Sequence, residues 1–567
     1  MMNKMFPDDA LPKNRKLSPD DLVPVTLNAE WFFAFPPKKN WQNEIPNTAQ
    51  PFRLQGAADL DRMSGMKPKE ENEGAVYNRF TAPADGLARI GIGCDWWFQA
   101  FVNGEECAST WDEGNGSNAF VPADNPFFLP VRKGENLLAV KVRSGSQGWK
   151  FACGNVPFQQ PNLPIITCGP WLANPSAGGM TVRFLSLGEI GSGIELRPKG
   201  ETEWQTLWDQ KNGRILRRRF HEVHLKGLRE NAVYEYRIVM LDPQQPEKRI
   251  HPQKELIHSF WSPDRNRSEF SFFFTADLQF SLDQQRNILE KLLDAADGGS
   301  CDLIVLGGDI GSAFDNIESN VLDCALSELV KRGGSDRPLI YVRGNHELRG
   351  KEAEKFETVF GTPEGRTYAV YRFGDTAFLM LDGWEDKPAA SQGAAYCKYN
   401  LDEIFWKQQA DFLKQAVDSE TWKSAKWHIV LCHGAPYSHY DACMTMPFML
   451  QKLTDRYFRG KDPAQKIDLW LAGQTHRYTR SIPGSDQIAA PAQPPRPLAG
   501  GADYRYPVLT VAGPEHVPEA SAFRVDVRPE KLTVTAYDVT GKCFDKIEIP
   551  GDGTIIEHSG LPHFDFK

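Results

Sequence analysis

The chain has 567 residues, too many for one hydrophobic core, and the length predicts roughly three or four domains. It carries 65 Lys and Arg against 74 Asp and Glu, a net charge of −9, which speaks against a nucleic-acid scaffold but leaves room for a local basic pocket. No apolar run is long enough for a membrane span, and the polar start Met1–Leu17 lacks the apolar centre of a secretory signal, so the expected compartment is the cytoplasm, or a secreted or periplasmic one if a leader is missing.

Residues 1–25 read as a flexible lead-in. From 26 to 158 the pattern is that of short strands. Leu87–Ile92 alternates, Trp97–Val102 runs into the turn Asn103-Gly104, and Leu137–Val142 follows a turn at Lys133-Gly134. Strands and turns at this spacing predict an all-β sandwich. The run "DWWFQAFVNGE" and the later "VRKGENLLAVKVRSGSQGW" resemble the galactose-binding-like jelly-roll modules of bacterial carbohydrate-active enzymes. The resemblance implies a glycan or protein partner for this module. Trp96, Trp97 and Trp149 could stack on a sugar, but the core is the preferred place for them.

A Pro-rich joint over Pro157–Pro164 separates a second β segment, 164–262. Thr181–Phe184, Gly193–Arg197 and Ala232–Met240 alternate with period two. The stretch "LKGLRENAVYEYRIV" resembles the fibronectin-III-like domain that precedes the catalytic domain in purple acid phosphatases.

From 265 to 550 strands alternate with helices, before a tail over 551–567. Asp283–Ala296 puts Ile288, Leu289, Leu292 and Leu293 on one face, with Ser281 or Asp283 as cap. Val321–Val330 and Ile404–Val417 read as further helices, and Tyr368–Phe373 and Ala377–Leu381 as a hairpin around Gly374-Asp375. Strands are expected at Val508–Val511, Phe523–Val527 and Leu532–Tyr537, and a loop at Ser481–Ala502. The predicted fold class is multidomain: two N-terminal all-β sandwiches, then an α/β domain of β-sandwich flanked by helices. The ten cysteines are scattered without a C-x-x-C pair, and reduced, packed thiols are expected.

The informative feature lies at the strand ends of this last domain. Phe270–Thr275 runs into Asp277 and Gln279, Leu303–Leu306 into Asp309, and Leu339–Val342 into Gly344-Asn345-His346-Glu347. Trp427–Leu431 runs into His433, and Ile467–Ala472 into Gln474 and His476. Open α/β sheets place their sites outside the carboxyl ends of the strands. Alone, Asp309 would cap a helix, His433 would be a core histidine and Asn345 a turn residue. Five strand ends in order describe one converging set of oxygen and nitrogen ligands.

The order Asp-x-(His), Gly-Asp, Gly-Asn-His-Glu, His, Gly-(His)-x-His over 270–480 resembles the signature of the calcineurin-like metallophosphoesterases, with "GNHE" and "THRY" its most specific pieces. The β segment ahead points to the purple-acid-phosphatase branch. The resemblance implies a dinuclear metal-dependent hydrolase of phosphomonoesters or phosphodiesters. Two divalent ions (Mn, Zn, Fe or Mg) would neutralise the ester's charge and supply hydroxide near neutral pH. It implies that Asp309 bridges both ions, that Asp277 and His476 hold the first, and that Asn345 and His433 hold the second. His346 would face the substrate and stabilise or protonate the leaving oxygen. Glu347 would orient a neighbour. Arg343, Arg349, Arg477, Tyr437 and His439 lie close to the motifs and are open to phosphate binding or to structural roles.

Three positions depart from the family pattern. Gln279 and Gln474 stand where it has histidines, one at each ion, and such oxygen-rich sites lean towards Mn²⁺, Mg²⁺ or Ca²⁺ rather than Zn²⁺. Gly308-Asp309 is followed by Ile310, Gly311 and Ser312, without the tyrosine that colours the purple enzymes, so no purple colour is expected. A rival reading makes the chain a non-catalytic binding protein with a decayed metal site, acting through its β modules. Against it, both aspartates, Asn345, His346, His433 and His476 remain, and glutamine keeps a ligand-capable atom. A carbohydrate-active first domain is a weaker third reading, because no pair of carboxylates stands out there.

Overall fold

The computed structural model describes residues 22–558 apart from 67–71, 113, 116–119, 146–147, 157–164, 243–246, 254–255, 280, 388–400, 437–444, 459–465, 482–486, 491–492, 498–505, 514–519 and 553. Tyr437, His439 and nearly all of the expected lead-in lie outside the described residues. The molecule is multidomain, with a β-rich N-terminal region followed by an α/β region.

In the N-terminal region a six-stranded sheet, in the order Gln50–Arg53, Glu30–Ala34, Glu73–Ala82, Gly134–Arg143, Trp97–Val102, Glu105–Ser109, faces a four-stranded one. Alternation along the strands sends one face inward, where Trp31, Phe33, Val76, Ile90, Phe98, Leu138 and Phe151 pack. Trp149 belongs to this core, and its indole N–H donates to the Val142 carbonyl at 3.3 Å. Trp96 and Trp97 are only half-buried.

In the next region Thr181–Phe184 and Gly193–Arg197, expected as separate strands, are parts of one 20-residue strand, Gly179–Pro198. A register shift between Leu185 and Ile190 divides it. Its first half pairs with Ile166–Ser176 and Arg217–Lys226, its second with Gln205–Trp208 and Val233–Leu241. A bulge of this kind bends a strand without ending it, so the polar interruption hid a continuous element.

This region is built into the α/β part. Strand Ile166–Ser176 runs parallel to Pro338–Tyr341, with Leu172 opposite Pro338 and Ala173 opposite Leu339. Cys168, Trp171 and Leu185 share a core with Leu322, Phe356 and Phe360. The Arg219 guanidinium makes two bonds to the Glu318 carboxylate, at 2.7 and 2.8 Å. The strand that leads into Asn345 and His346 is therefore flanked on one side by a strand from the preceding β region.

The α/β part is two sheets packed face to face. In one, Pro338–Tyr341, Leu303–Leu306 and Phe270–Thr275 are parallel neighbours, continued antiparallel by Ser521–Val527, Lys531–Asp538 and Cys543–Pro550. In the other, Thr376–Met380, Trp427–Leu431, Leu469–Ala472 and Val508–Thr510 are parallel. Phe272, Phe274, Val305 and Ile340 meet Phe378, Ile429, Leu431 and Leu471 between them. Helices Leu282–Ala295 and 318–334 cover the outer face of the first sheet, and helices Asp402–Asp418 and Thr445–Phe458 that of the second. The strands are fully buried because both faces are covered, which is why they read as continuous apolar runs.

Three details differ from expectation. Ser281 stands at the helix start, but its hydroxyl bonds to the Gln284 side chain at 3.0 Å rather than to a backbone N–H. The Val321–Val330 helix is longer, starting at Glu318 with turns widened to π geometry over Glu318–Leu326, and the chain kinks at Arg332 and Gly333, whose backbone is not helical. The expected loop over Ser481–Ala502 contains strands Gln487–Ala490 and Gln493–Pro497. The second of these is the edge of its sheet, the place in a sheet that tolerates proline. The eight described cysteines are all free thiols. Among the described residues no helix is long and apolar enough to cross a membrane.

Candidate metal centre

The carboxyl ends of five parallel strands, three from one sheet and two from the other, converge at one edge of the sandwich. Each ligand-type residue lies two to four residues beyond the end of its strand, and four of them, Asp277, Asp309, Gln474 and His476, have left-handed backbone (φ 55°, 53°, 68° and 52°). Non-glycine residues adopt this conformation at a cost of order 1 kcal/mol, and it turns the chain sharply enough to aim the side chain back over the sheet. Glycines beside them allow close approach. A Cβ on Gly473 would collide with the Asp277 carboxylate, and one on Gly344 with that of Asp309.

The side chains meet. His433 Nε2 lies 3.2 Å from Asp309 Oδ2 and 3.8 Å from Asp277 Oδ1, and His476 Nε2 lies 3.5 Å from Asp277 Oδ1. Atoms of Asp277, Asp309 and His476 fall within 4.8 Å of one another, a grouping able to hold a metal ion. The Gln279 amide nitrogen is 2.8 Å from His476 Nε2, and the Gln474 backbone N–H meets both Asp277 oxygens, at 3.1 and 3.0 Å. His433 Nδ1 lies 2.9 Å from the Gly307 carbonyl, which makes Nδ1 the protonated nitrogen and points Nε2 at the aspartates.

Two observations test whether these residues suit metal ions. Among the described residues, Asn345 Oδ1, Gln279 Oε1 and Gln474 Oε1 are buried without a hydrogen-bond partner. Buried polar atoms are rarely left so unless something else satisfies them. The second observation is electrostatic. Burial resists a charge on His433, but the carboxylates of Asp309 and Asp277 outweigh it and push the imidazole up to about 10. Burial raises Asp277 to about 6 against the pull of His433 and His476, with Asp309 adding to the rise. For Asp309 burial is overcome by His433 and His346, which hold it below the usual carboxylate range. Two buried carboxylates thus draw a positive charge into the cluster, and without a metal a proton on His433 meets that demand. The donor set fits divalent cations.

Glu347 is fully buried and organises the floor. Its Oε2 accepts from the Asp309 and Gly344 backbone N–H groups (2.9 and 2.8 Å), and its Oε1 from the Ile310 N–H and Tyr341 hydroxyl (2.9 and 2.8 Å). Burial and the Asp309 charge push its carboxyl up to about 7.

His346 lies beside the cluster, its Nε2 3.8 Å from Asp309 Oδ2. Its Nδ1 is 2.7 Å from the Ser312 carbonyl, and its Nε2 faces Arg349 Nη1 at 2.8 Å. The ring is therefore neutral, donating through Nδ1 and accepting from Arg349 through Nε2. Burial and the Arg349 charge hold it down at about 4. Arg349 is itself buried and pairs with Glu385 (Nη2–Oε1 2.8 Å) and Asp386 (Nη2–Oδ1 2.9 Å). Asp386 Oδ2 also accepts from Lys387 Nζ at 2.6 Å and from the Gln474 amide at 3.3 Å.

Of the basic residues open to two readings, Arg343 is buried and paired with Asp382 at 2.7 Å and with Glu357, a structural position. Arg349 joins the site through His346, and Arg477 is exposed. Glu385 and Asp386 escaped the sequence reading, although they follow strand Thr376–Met380 as the other site residues follow theirs. Ser312 stands where the purple enzymes have tyrosine. Its hydroxyl donates to the Gln279 carbonyl at 3.1 Å.

Asp315, beyond Ser312, carries a testable charge. It is buried, one of its oxygens has no partner among the described residues, and burial pushes its carboxyl from 3.8 to about 6. Folding therefore disfavours its ionised form. That cost is absent below the unfolded value and grows as pH rises through the folded one. Between about pH 4 and pH 7.5 the stability of Asp315→Asn relative to the parent should shift towards the variant by roughly 2–3 kcal/mol. Urea melts at both pH values measure this, and parallel pH profiles would contradict it.

A buried cluster of carboxylate, amide and imidazole donors at the strand ends of two packed sheets is the layout of an α/β metallohydrolase. The family follows from comparison: residues 270–478 match the model of the calcineurin-like phosphoesterases, and the chain carries a domain of that family of metal-dependent phosphoesterases. No curated protein matches the sequence. Among solved structures, a purple acid phosphatase from yellow lupin (Lupinus luteus) seeds is similar in fold, with a TM-score of 0.50 at 14% identity over 85% of this chain and 93% of that one. A structure of PhoD aligns with a TM-score of 0.47 at 11% identity over 72% of this chain and 95% of that one.

Proposed function

We propose that the chain is a dinuclear phosphoesterase that hydrolyses a phosphomonoester or phosphodiester. The observation that carries this is the set of buried oxygens without a partner among the described residues, Asn345 Oδ1, Gln279 Oε1 and Gln474 Oε1, in a site where His433 Nε2 lies 3.2 Å from Asp309 and 3.8 Å from Asp277. Asp277, His476 and Gln279 would hold one ion, Asn345, His433 and Gln474 the other, with Asp309 shared. Bound there, two ions would offset the ester's negative charge and acidify a water molecule. Three carboxamides and two carboxylates against two imidazoles make a hard, oxygen-rich donor set that favours Mn²⁺ or Mg²⁺ over Zn²⁺.

The chain's own residues supply the rest. Glu347 fixes the Asp309 and Gly344 backbones, and Gly307 holds His433 in the tautomer that presents Nε2. His346 and Arg349 stand on the substrate side. Arg349 keeps a positive charge against the imidazole, placed to stabilise a leaving oxygen. The N-terminal β-sandwich would serve as a docking module for a glycan or protein, and the middle β region as a buttress for the strand before Asn345.

The test is hydrolysis of an aryl phosphate monoester and diester by chelator-stripped protein with single metals restored. Turnover restored by Mn²⁺ supports the reading. Failure of every metal to restore turnover of either ester contradicts it and favours the binding-protein alternative.

A further inference from the structure

We propose that Asp386 is a positioning residue that fixes Gln474 as an oxygen donor for the metal centre and ties that orientation, through Arg349, to His346. The inference rests on the dinuclear reading above. A carboxamide has two ends of nearly equal shape and opposite polarity, and its neighbours decide which end points where. A carboxylate offers acceptors, so the end of Gln474 that meets Asp386 Oδ2 at 3.3 Å is the NH₂. The carbonyl oxygen is then the end not held by Asp386, and among the described residues Gln474 Oε1 is buried without a hydrogen-bond partner.

Asp386 is suited to this task. It is buried, and two cations contact it, Arg349 Nη2 at 2.9 Å and Lys387 Nζ at 2.6 Å. The backbone of Gln474 is already pinned by its N–H bonds to Asp277, so the side-chain torsions are what remain to be set. Gln279 gives the contrast. Its amide meets His476 Nε2 at 2.8 Å, a nitrogen that donates or accepts according to tautomer, so that contact does not by itself choose the amide's orientation. The carboxylate that orients Gln474 also holds Arg349, whose Nη1 donates to His346 Nε2 at 2.8 Å. Asp386 thus joins the metal side of the site to its substrate side.

A merely structural Asp386 would weaken the fold without singling out Gln474, so a double-mutant cycle on metal affinity separates the two roles. Mn²⁺ is titrated into metal-free full-length protein as wild type, Asp386→Asn, Gln474→Ala and the double variant, followed by calorimetry and electron paramagnetic resonance. Asparagine can turn either end of its own amide to Gln474 and so releases the orientation. Asp386→Asn is expected to weaken one of the two Mn²⁺ sites by about tenfold and spare the other. In the Gln474→Ala background it should cost nothing further. Additive losses, or wild-type affinity in Asp386→Asn, overturn the proposal and leave the functional reading standing. A wild-type protein that takes up no Mn²⁺ overturns both.

Should Asp386→Asn fail to fold, Gln474→Glu decides the matter with Asp386 in place. A second carboxylate against Asp386 is repelled, so Mn²⁺ binding should be no tighter than in wild type. Tighter binding, the ordinary result of giving a cation an anionic ligand, would show that Asp386 does not govern that side of residue 474.

Discussion

Replacing Asp309 by asparagine is expected to lower turnover of an aryl phosphate by about a thousandfold or more, roughly 4 kcal/mol in the barrier, with the fold retained. Asp309 is buried, lies 3.2 Å from His433 Nε2, and accepts the His346 backbone N–H at 2.9 Å. Its carboxylate supplies the charge that both ions would share, and a neutral amide removes that charge from the centre of the cluster. Asparagine adopts the left-handed backbone found at this position as readily as aspartate does, so the strand end should keep its shape. Steady-state kinetics with thermal melts as a folding control measure the effect. Unchanged turnover would remove Asp309 from the mechanism.

The largest effect on stability is expected from Glu347→Ala. The carboxylate accepts from three backbone N–H groups, those of Asp309, Ile310 and Gly344, and from the Tyr341 hydroxyl. Alanine leaves these donors in a buried space, where each unsatisfied group costs about 1–3 kcal/mol, so a loss of at least about 4 kcal/mol is expected. Glu347→Gln should be milder, since one oxygen still accepts while the new NH₂ faces donors. Urea denaturation of the two variants measures the order. Equal stabilities would mean that water satisfies these groups and that Glu347 is not the floor of the site. Because the same bonds hold Asp309 and Gly344 in place, both variants should also weaken metal binding.

The strand ends were legible in the sequence because the physics there is local. A fully buried parallel strand reads as an unbroken apolar run, and the residue after it stands at the open edge of the sheet. Asp277, Asp309, Asn345, His433 and His476 could be placed together on that ground before any contact was known. The two glutamines were visible as departures from the family pattern, but their hydrogen bonds were not, since Asp386 and Gln474 are 88 residues apart. Glu385 and Asp386 were overlooked although the rule that found the other residues applies to strand Thr376–Met380. The long strand Gly179–Pro198 was cut in two because a bulge and a turn look alike in a polar stretch. The pairing of Ile166–Ser176 with Pro338–Tyr341 joins segments on either side of an apparent domain boundary, and nothing local encodes that register. Nor was the neutral state of His346 legible, as it depends on the Arg349 guanidinium and the Ser312 carbonyl meeting its two ring nitrogens.

Metal content decides whether the centre is dinuclear. Purified full-length protein is stripped with chelator, reloaded with Mn²⁺, desalted and analysed by elemental mass spectrometry beside Asp309→Asn prepared in the same way. About two equivalents are expected in the parent and a clear loss in the variant. A parent protein that retains no metal, or a variant that retains as much as the parent, would contradict the dinuclear centre and move attention to what the N-terminal β-sandwich binds.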